Sequence, residues 1–320
     1  MTPHPRLGDD DDRRCAALPA GVVGIWLLFA VVAVEIVVTY ARLPATELYN
    51  VSRSGLAGGF GRALVFLNFP VALAVIGVAL VLFQLLVGRA ERALAVVSIA
   101  LCAVVVWPGV VEQADLDPKA VNALPALGVA IALALTVLVA RDGGLSPPGR
   151  YGAGWRIGTA ALTLGISLPW LAAELGFYLD GVPLLGWLFL TGKLASQPGV
   201  AALHPAVHHG HHHGMDGALL MLTALLLASM VTGVTGKLRL VLAGYVALVF
   251  CYGVGNLAND AWLEQVVKRG WTTWQIPGVT VPHVNGGWGV ILLAALTVWL
   301  AWRRSLAGGH DEPTRVPTPD

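Results

Sequence analysis

Charged residues are scarce in this chain. Only 12% of its 320 residues are Asp, Glu, Lys or Arg, about half the share in a typical soluble domain. Hydrophobic residues make up 56% and the mean hydropathy is +0.72, so too few polar side chains are present to cover a water-soluble particle. The composition excludes an ordinary soluble enzyme and a disordered chain, and it indicates an integral membrane protein.

Cysteine pairs and an excess of positive charge are also missing. Cys15, Cys102 and Cys251 stand singly, with no CxxC motif, which argues against a disulfide framework and a thiolate metal site. The 20 basic residues are balanced by 19 acidic ones, so no positive surface for nucleic acid is expected. The expected partner is therefore the lipid bilayer, and no nucleic acid.

Long apolar runs are what the sequence has in abundance. About 20 consecutive apolar residues are needed for one α-helix to cross a bilayer, and eight stretches qualify: 21–39, 63–87, 93–111, 120–140, 157–178, 217–235, 240–257 and 286–302. A ninth, 182–192, is too short and predicts an interfacial or re-entrant helix. The predicted fold is an all-α, polytopic transmembrane helix bundle of about eight spans. It forms one membrane domain, 21–304, with polar tails at 1–20 and 305–320.

The basic residues at the ends of these spans predict the orientation. Of the 20 Lys and Arg, 13 fall on one side of the predicted spans and 7 on the other. Because cytoplasmic loops carry the excess of positive charge, both termini are expected in the cytoplasm of a multi-pass plasma-membrane protein. Three long connections then lie on the outer face: 40–62, 179–216 and 258–285.

A few strongly polar residues lie inside the spans, in their outer halves. An ionisable group near the centre of a spanning helix costs about 2.5–3.5 kcal/mol or more, so such groups are functional candidates. Glu35, Glu112 and Glu174 qualify, and Asn256 belongs to a polar stripe on the seventh span. Together they predict an outward-opening cavity with an apolar floor. Alternatively, each Glu reaches the interface or pairs with a basic group.

Six of the nine histidines fall between positions 204 and 213, just before the sixth span. In a helix, His204, His208 and His212 would share one face, and the four-residue spacing of His208 and His212 lets two imidazoles reach one metal ion. Gly210 and Gly214 work against a regular helix here. The run therefore predicts a metal site, and it leaves undecided whether the backbone there is helical.

Acidic residues at the end of the seventh span are predicted to meet these histidines. The sixth and seventh spans are joined near Gly236, so residues equally far from it along the chain lie at equal depth. This places His212 opposite Asp260 and His208 opposite Glu264. The combination suits a divalent metal, Zn²⁺ rather than Fe or Mn. The predicted ligands are His204, His208, His212, Asp260 and His283.

Other interpretations of the same residues remain open. Asp260 or Asn259 could cap a short helix over 261–269, and Asp216 could cap the sixth span. Glu264 and Lys268 form a favourable i,i+4 pair without any metal. The histidines could also form a solvated metal-scavenging or pH-sensitive loop.

Two functions follow. The first is a metal-dependent enzyme acting on a lipid or lipid-linked substrate, with Asp260 or Glu264 orienting a water or serving as general base. The second is a metal-handling or transport protein with an external histidine-rich capture loop. A non-catalytic role in membrane assembly is a further alternative. The H-x-x-H-H pattern of His208, His211 and His212 resembles one box of the membrane fatty-acid desaturases. The further boxes that such enzymes need are missing, so no residue role is taken from them.

Overall fold

The computed structural model describes residues 16–48, 51–111, 116–147, 149–280 and 285–308. The helices in these ranges are α1 (Ala20–Arg42), α2 (Gly55–Phe66), α3 (Ala72–Leu85), α4 (Arg89–Ala103), α5 (Ala123–Gly143), α6 (Ala153–Ile166), α7 (Leu168–Glu174), α8 (Leu185–Leu188), α9 (His213–Ala228), α10 (Gly236–Trp262) and α11 (Gly286–Gly308). A π turn, Leu67–Val71, joins α2 to α3, and a second one, Leu263–Val267, extends α10.

Strand structure in the described residues is limited to two short pairs. β1 (Leu18–Pro19) lies parallel to β2 (Leu145–Ser146), and β3 (Leu194–Gln197) lies antiparallel to β4 (Val200–Pro205). The second pair holds the segment that leads into the histidine run, with Ala195 opposite His204. The predicted all-α helix bundle is confirmed.

Six helical segments in the described residues are long and apolar enough to cross a membrane, and a bent pair makes up to seven. They are Ala20–Arg42, Gly55–Leu85, Ala120–Gly143, His213–Gly233, Gly236–Val267 and Gly286–Arg303, with α6 and α7 as the bent pair. The predicted count of eight is higher because the run at 93–111 does not form one long helix. There α4 has 15 residues and is followed by a single 3₁₀ turn, Val104–Val106, since Pro108 has no N–H with which to continue the helix.

Two glycines set the packing of α9 against α10. A Cβ atom added to Gly217 would lie 2.6 Å from the carbonyl oxygen of Gly253, and one added to Gly253 would lie 2.7 Å from that of Gly217. The two backbones are therefore in direct contact, as small residues allow between membrane helices. This confirms the predicted antiparallel pairing and brings the start of α9 beside the end of α10.

A sharp bend turns α7 towards the region where the start of α9 meets the end of α10. The axes of α6 and α7 differ by 60°, and the break falls at Ser167, just before Pro169 in the first turn of α7. Proline is tolerated in a first helical turn but not further along. The bend directs two buried residues of α7, Trp170 and Glu174, into the protein.

The histidine run is not helical, which corrects the conditional prediction of one helical face. β4 ends at Pro205 and α9 begins at His213. Between them Gly210 has a φ of +101°, a conformation that glycine adopts readily and that ends any regular helix. The rings of His208 and His212 nevertheless lie with their centroids 4.1 Å apart.

The helix-capping interpretations are wrong. Asn259 and Asp260 lie inside α10, which continues without a break to Trp262. Asp216 lies in the first turn of α9, and the N-cap position is occupied by His212. The connection after α10 is correspondingly shorter than predicted. Most of both predicted polar tails, 1–15 and 309–320, lies outside the described residues.

Candidate metal centre

Three side chains converge where the histidine run meets the end of α10. His208, His212 and Glu264 each offer one ligand atom, and these atoms all lie within 4.8 Å of one another. Nδ1 of His212 is 3.6 Å from Oε1 of Glu264. Ligand atoms around a tetrahedral Zn²⁺ are about 3.3 Å apart, given metal–ligand distances of about 2.0–2.1 Å. These three residues, called here the metal triad, could hold a metal ion.

The hydrogen bond of His212 fixes which of its nitrogens faces the triad. Nε2 of His212 is 2.8 Å from the backbone carbonyl oxygen of His208. A carbonyl only accepts, so Nε2 carries the proton and the lone pair is on Nδ1, which faces Glu264. Metal-binding histidines commonly donate their other N–H to a carbonyl in this way.

Glu264 is held from two sides. Its Oε2 accepts a hydrogen bond of 2.5 Å from Nε1 of Trp170, which leaves Oε1 to face the triad. Nζ of Lys268 lies 3.7 Å from that Oε1 and donates to the carbonyl oxygen of Ala206 at 2.6 Å. The predicted Glu264–Lys268 pair is therefore present. The same carboxylate also remains within reach of both triad histidines.

The histidines of the triad are neutral. Burial lowers the pKa of His212 to about 4, and burial is also the main cause of the lowered pKa of His208. Burial also lowers the pKa of Lys268, against the opposing effect of the Glu264 carboxylate. Neutral imidazole is the form that binds a metal ion, so the protonation states fit a ligand role.

The triad opens into a cavity of about 500 Å³, within the usual size range of small-molecule sites. Its polar wall comes from four parts of the chain: α2, the β3–β4 pair, the histidine run and the end of α10. The lining residues are Arg62, Leu116, Gln197, Val200, His204, His208, His211, His212, His213, Asn259, Asp260, Leu263, Glu264 and Lys268. A ligand in this cavity would lie against the metal triad.

A second cluster adjoins the cavity and is centred on His211. Its two ring nitrogens contact the carboxylates of Glu174 and Asp216, and all three side chains are buried. Burial alone would lower the pKa of His211, but the carboxylates of Asp216 and Glu174 outweigh it and raise the pKa to about 10. His211 is therefore an imidazolium that joins α7 to α9. Glu174, His211 and Asp216 are called here the His211 cluster.

Most of the predicted ligands come together in the cavity. His208 and His212 belong to the triad. Glu264, predicted as a general base, is its third member. Asp260 and His204 line the same cavity outside the triad, with Asp260 Oδ2 accepting from the Gly214 N–H at 2.5 Å. Two further predictions, the ligand His283 and the cavity residue Glu112, fall outside the described residues.

The remaining predicted cavity residues lie around the cavity and do not line it. Glu174 belongs to the His211 cluster, and Glu35 lies beside it, accepting a 2.8 Å hydrogen bond from the Thr39 hydroxyl. Asn256 is buried and donates to the carbonyl oxygen of Tyr252. Glu35, Glu174 and Asn256 are therefore absent from the lining of the cavity.

Trp170 and Arg62 are among the residues of this site that the sequence analysis did not indicate. Trp170 follows Pro169 directly, and a proline inside an apolar span was a signal for the bend that positions it. Arg62 stands at the head of a long apolar run, where an arginine usually reaches out to the interface. Its burial depends on the packing of α2 and could not be foreseen.

Comparisons with known protein families, with curated proteins and with solved structures gave no match to this chain.

Proposed function

We propose that this chain is a zinc-dependent membrane enzyme that hydrolyses an ester in a lipid or lipid-linked substrate. The observation that carries this proposal is a two-histidine, one-glutamate triad at the wall of a cavity of about 500 Å³. Structural zinc sites are closed by four protein ligands, whereas catalytic ones have three and keep an open position. Three ligands beside a cavity, counted among the described residues, favour catalysis.

The residues around the triad suit a hydrolytic step. A bound zinc ion would polarise the ester and lower the pKa of a water towards ~7. Asp260 keeps Oδ2 on the Gly214 N–H and would accept the proton of that water through Oδ1. The water oxygen adds to the ester centre, the ester bond to oxygen breaks, and the leaving alkoxide takes the proton back from Asp260. One water is consumed, and one acid and one alcohol are formed.

A lipid substrate is supported by the surroundings of the cavity. Trp187 in α8 is 80% exposed, and Trp271 and Trp274 in the connection after α10 are 71% and 59% exposed. Exposed tryptophans mark the boundary between bilayer and water. A site near this boundary would be reached by molecules that lie in the membrane.

The burial of the histidines favours a fixed site over a capture loop. His209, His211 and His212 are each at most 9% exposed. A loop that collects metal ions from solution would present its imidazoles to water. The metal-handling alternative therefore has less support than catalysis.

An assay of ester hydrolysis tests the proposal. We expect zinc-loaded protein in detergent micelles to hydrolyse a fluorogenic long-chain carboxylic ester or the matching phosphate ester. Asp260→Asn should lower kcat/KM by about 100-fold or more while keeping its zinc, since general-base catalysis contributes about 10²–10⁴. Asp142→Asn, the same change at an exposed position in α5, is the control and should stay at the wild-type rate.

Two results would count against this mechanism. If zinc-loaded protein hydrolyses neither probe faster than chelator-treated protein, the hydrolase proposal fails. If Asp260→Asn keeps both zinc and full activity, Asp260 is not the base.

We also propose the orientation predicted from the basic residues, in the plasma membrane with the cavity on the outer face. Ala202 is exposed in β4 and Lys237 is exposed at the start of α10. In a background without native cysteine, Ala202→Cys should react with an impermeant thiol reagent in intact cells. Lys237→Cys should react only after lysis. The reverse pattern would invert the topology.

A further inference from the structure

Arg62 is a buried arginine whose side chain is incompletely paired. It lies in α2, is 4% exposed, and its Nε has no hydrogen-bond partner among the described residues. A buried N–H group that lacks a hydrogen-bond partner is costly, so such groups are normally paired or bind a ligand. Arg62 therefore has binding capacity that the described fold leaves unused.

Arg62 lies at the wall of the cavity that contains the metal triad. Arg62 lines that cavity, and it also lines a small adjoining pocket with Asn68, His213 and Asp216. Among the described residues that line this pocket the acidic one is Asp216, and its two oxygens face His211 and His213. A ligand in the cavity is then the natural partner for the guanidinium.

The charges around the cavity indicate the chemistry of that ligand. Two basic residues, Arg62 and Lys268, and two acidic ones, Asp260 and Glu264, line it, so a divalent ion at the triad would give the cavity an excess of two positive charges. Arginine presents a planar fork of N–H donors that matches the oxygens of carboxylate and phosphate. A carboxylate that pairs both of its oxygens with the arginine fork has none left for a metal ion, whereas a tetrahedral phosphate has oxygens for both contacts.

We infer that the cavity binds the phosphate group of its substrate, with Arg62 as the residue that holds it beside the metal triad. This inference rests on the proposed function and deepens it, because it makes the substrate a phosphate ester. The same chemistry is offered by a lipid phosphate headgroup and by free inorganic phosphate. Arg62 is a binding residue here, and the triad and Asp260 keep their roles.

Calorimetric titrations of zinc-loaded protein test the inference. The protein is held in maltoside micelles, which carry no phosphate, and the probes are dioctanoyl phosphatidic acid, inorganic phosphate and acetate. Arg62→Gln should weaken binding of the phosphate probes by about 10-fold or more, since charge-assisted arginine contacts are among the strong ones. Arg53→Gln, at an exposed position in the preceding connection, should bind as the wild type does. Arg62→Lys keeps the positive charge without the planar fork, so its affinity for phosphate should lie between those of the wild type and Arg62→Gln.

The zinc content of each sample separates the two proposals. Weaker phosphate binding by Arg62→Gln at unchanged zinc content supports the inference. Weaker binding of both phosphate probes identifies the phosphate group itself as what Arg62 holds. Weaker binding of the lipid probe alone identifies the lipid headgroup as the source of that phosphate. Unchanged affinity in Arg62→Gln, or acetate bound as tightly as phosphate, overturns the inference. A wild-type protein that takes up no zinc yet binds phosphate through Arg62 would remove the metal proposal and leave this one standing.

Discussion

Replacing His208 and His212 together by alanine is expected to abolish binding of the metal ion. Zinc binding to a four-ligand site is worth about 10–16 kcal/mol, or roughly 3 kcal/mol per ligand. Losing two ligands should therefore weaken affinity by about four orders of magnitude. Competition titration with a fluorescent chelator measures the change, and elemental analysis of the purified double variant should find almost no zinc.

The matched control for that double variant is His209→Ala. His209 lies between the two ligands in the sequence and is also buried, but its ring stacks on Tyr178, with centroids 4.2 Å apart. It is outside the metal triad, so its removal should leave one zinc per chain. Equal zinc content in the double variant and in the wild type would remove the triad as the binding site.

The second large effect is expected on stability, from His211→Ala. This change leaves the carboxylates of Glu174 and Asp216 buried without the imidazolium between them. Removing one partner from a buried ion pair costs about 3–5 kcal/mol, because the remaining charge is uncompensated. The free energy of unfolding in detergent, followed by the circular dichroism of the tryptophans, should fall by about that amount.

A compensating variant makes the origin of this loss visible. Adding Glu174→Gln and Asp216→Asn to His211→Ala removes the stranded charges, so part of the lost stability should return. His209→Ala is again the control for a lost buried ring. If His211→Ala destabilises no more than His209→Ala, and the two amide changes recover nothing, the His211 cluster does not join α7 to α9 in the way its contacts indicate.

The helix bundle and the pairing of its two central helices could be predicted because they depend on local features of the sequence. Apolar run length indicated the spans correctly except for the one predicted at 93–111, and the short connection near Gly236 made α9 and α10 antiparallel neighbours. From that pairing alone, His208 and Glu264 were expected at the same depth. The structure brings them together although His208 lies in an irregular segment, since the start of α9 fixes where that segment must end.

What could not be predicted depends on tertiary packing. The 60° bend between α6 and α7 is needed before Trp170 can reach Glu264. The role of His211 was missed for a related reason. In the sequence it is one of six similar histidines, and only the folded chain puts Glu174 and Asp216 on opposite sides of its ring. The spacing of residues along one helix cannot reveal a contact between α7, α9 and the histidine run.

The most direct test of the account is the zinc K-edge absorption spectrum of the loaded wild-type protein. The metal triad predicts a low-coordinate ion with nitrogen and oxygen ligands at about 2.0–2.1 Å, and with the outer-shell scattering of two imidazole rings. Glu264→Gln should alter this spectrum while the two imidazole contributions remain. A six-coordinate shell without imidazole scattering, or ligands at the about 2.3 Å typical of sulfur, would contradict a site built from His208, His212 and Glu264.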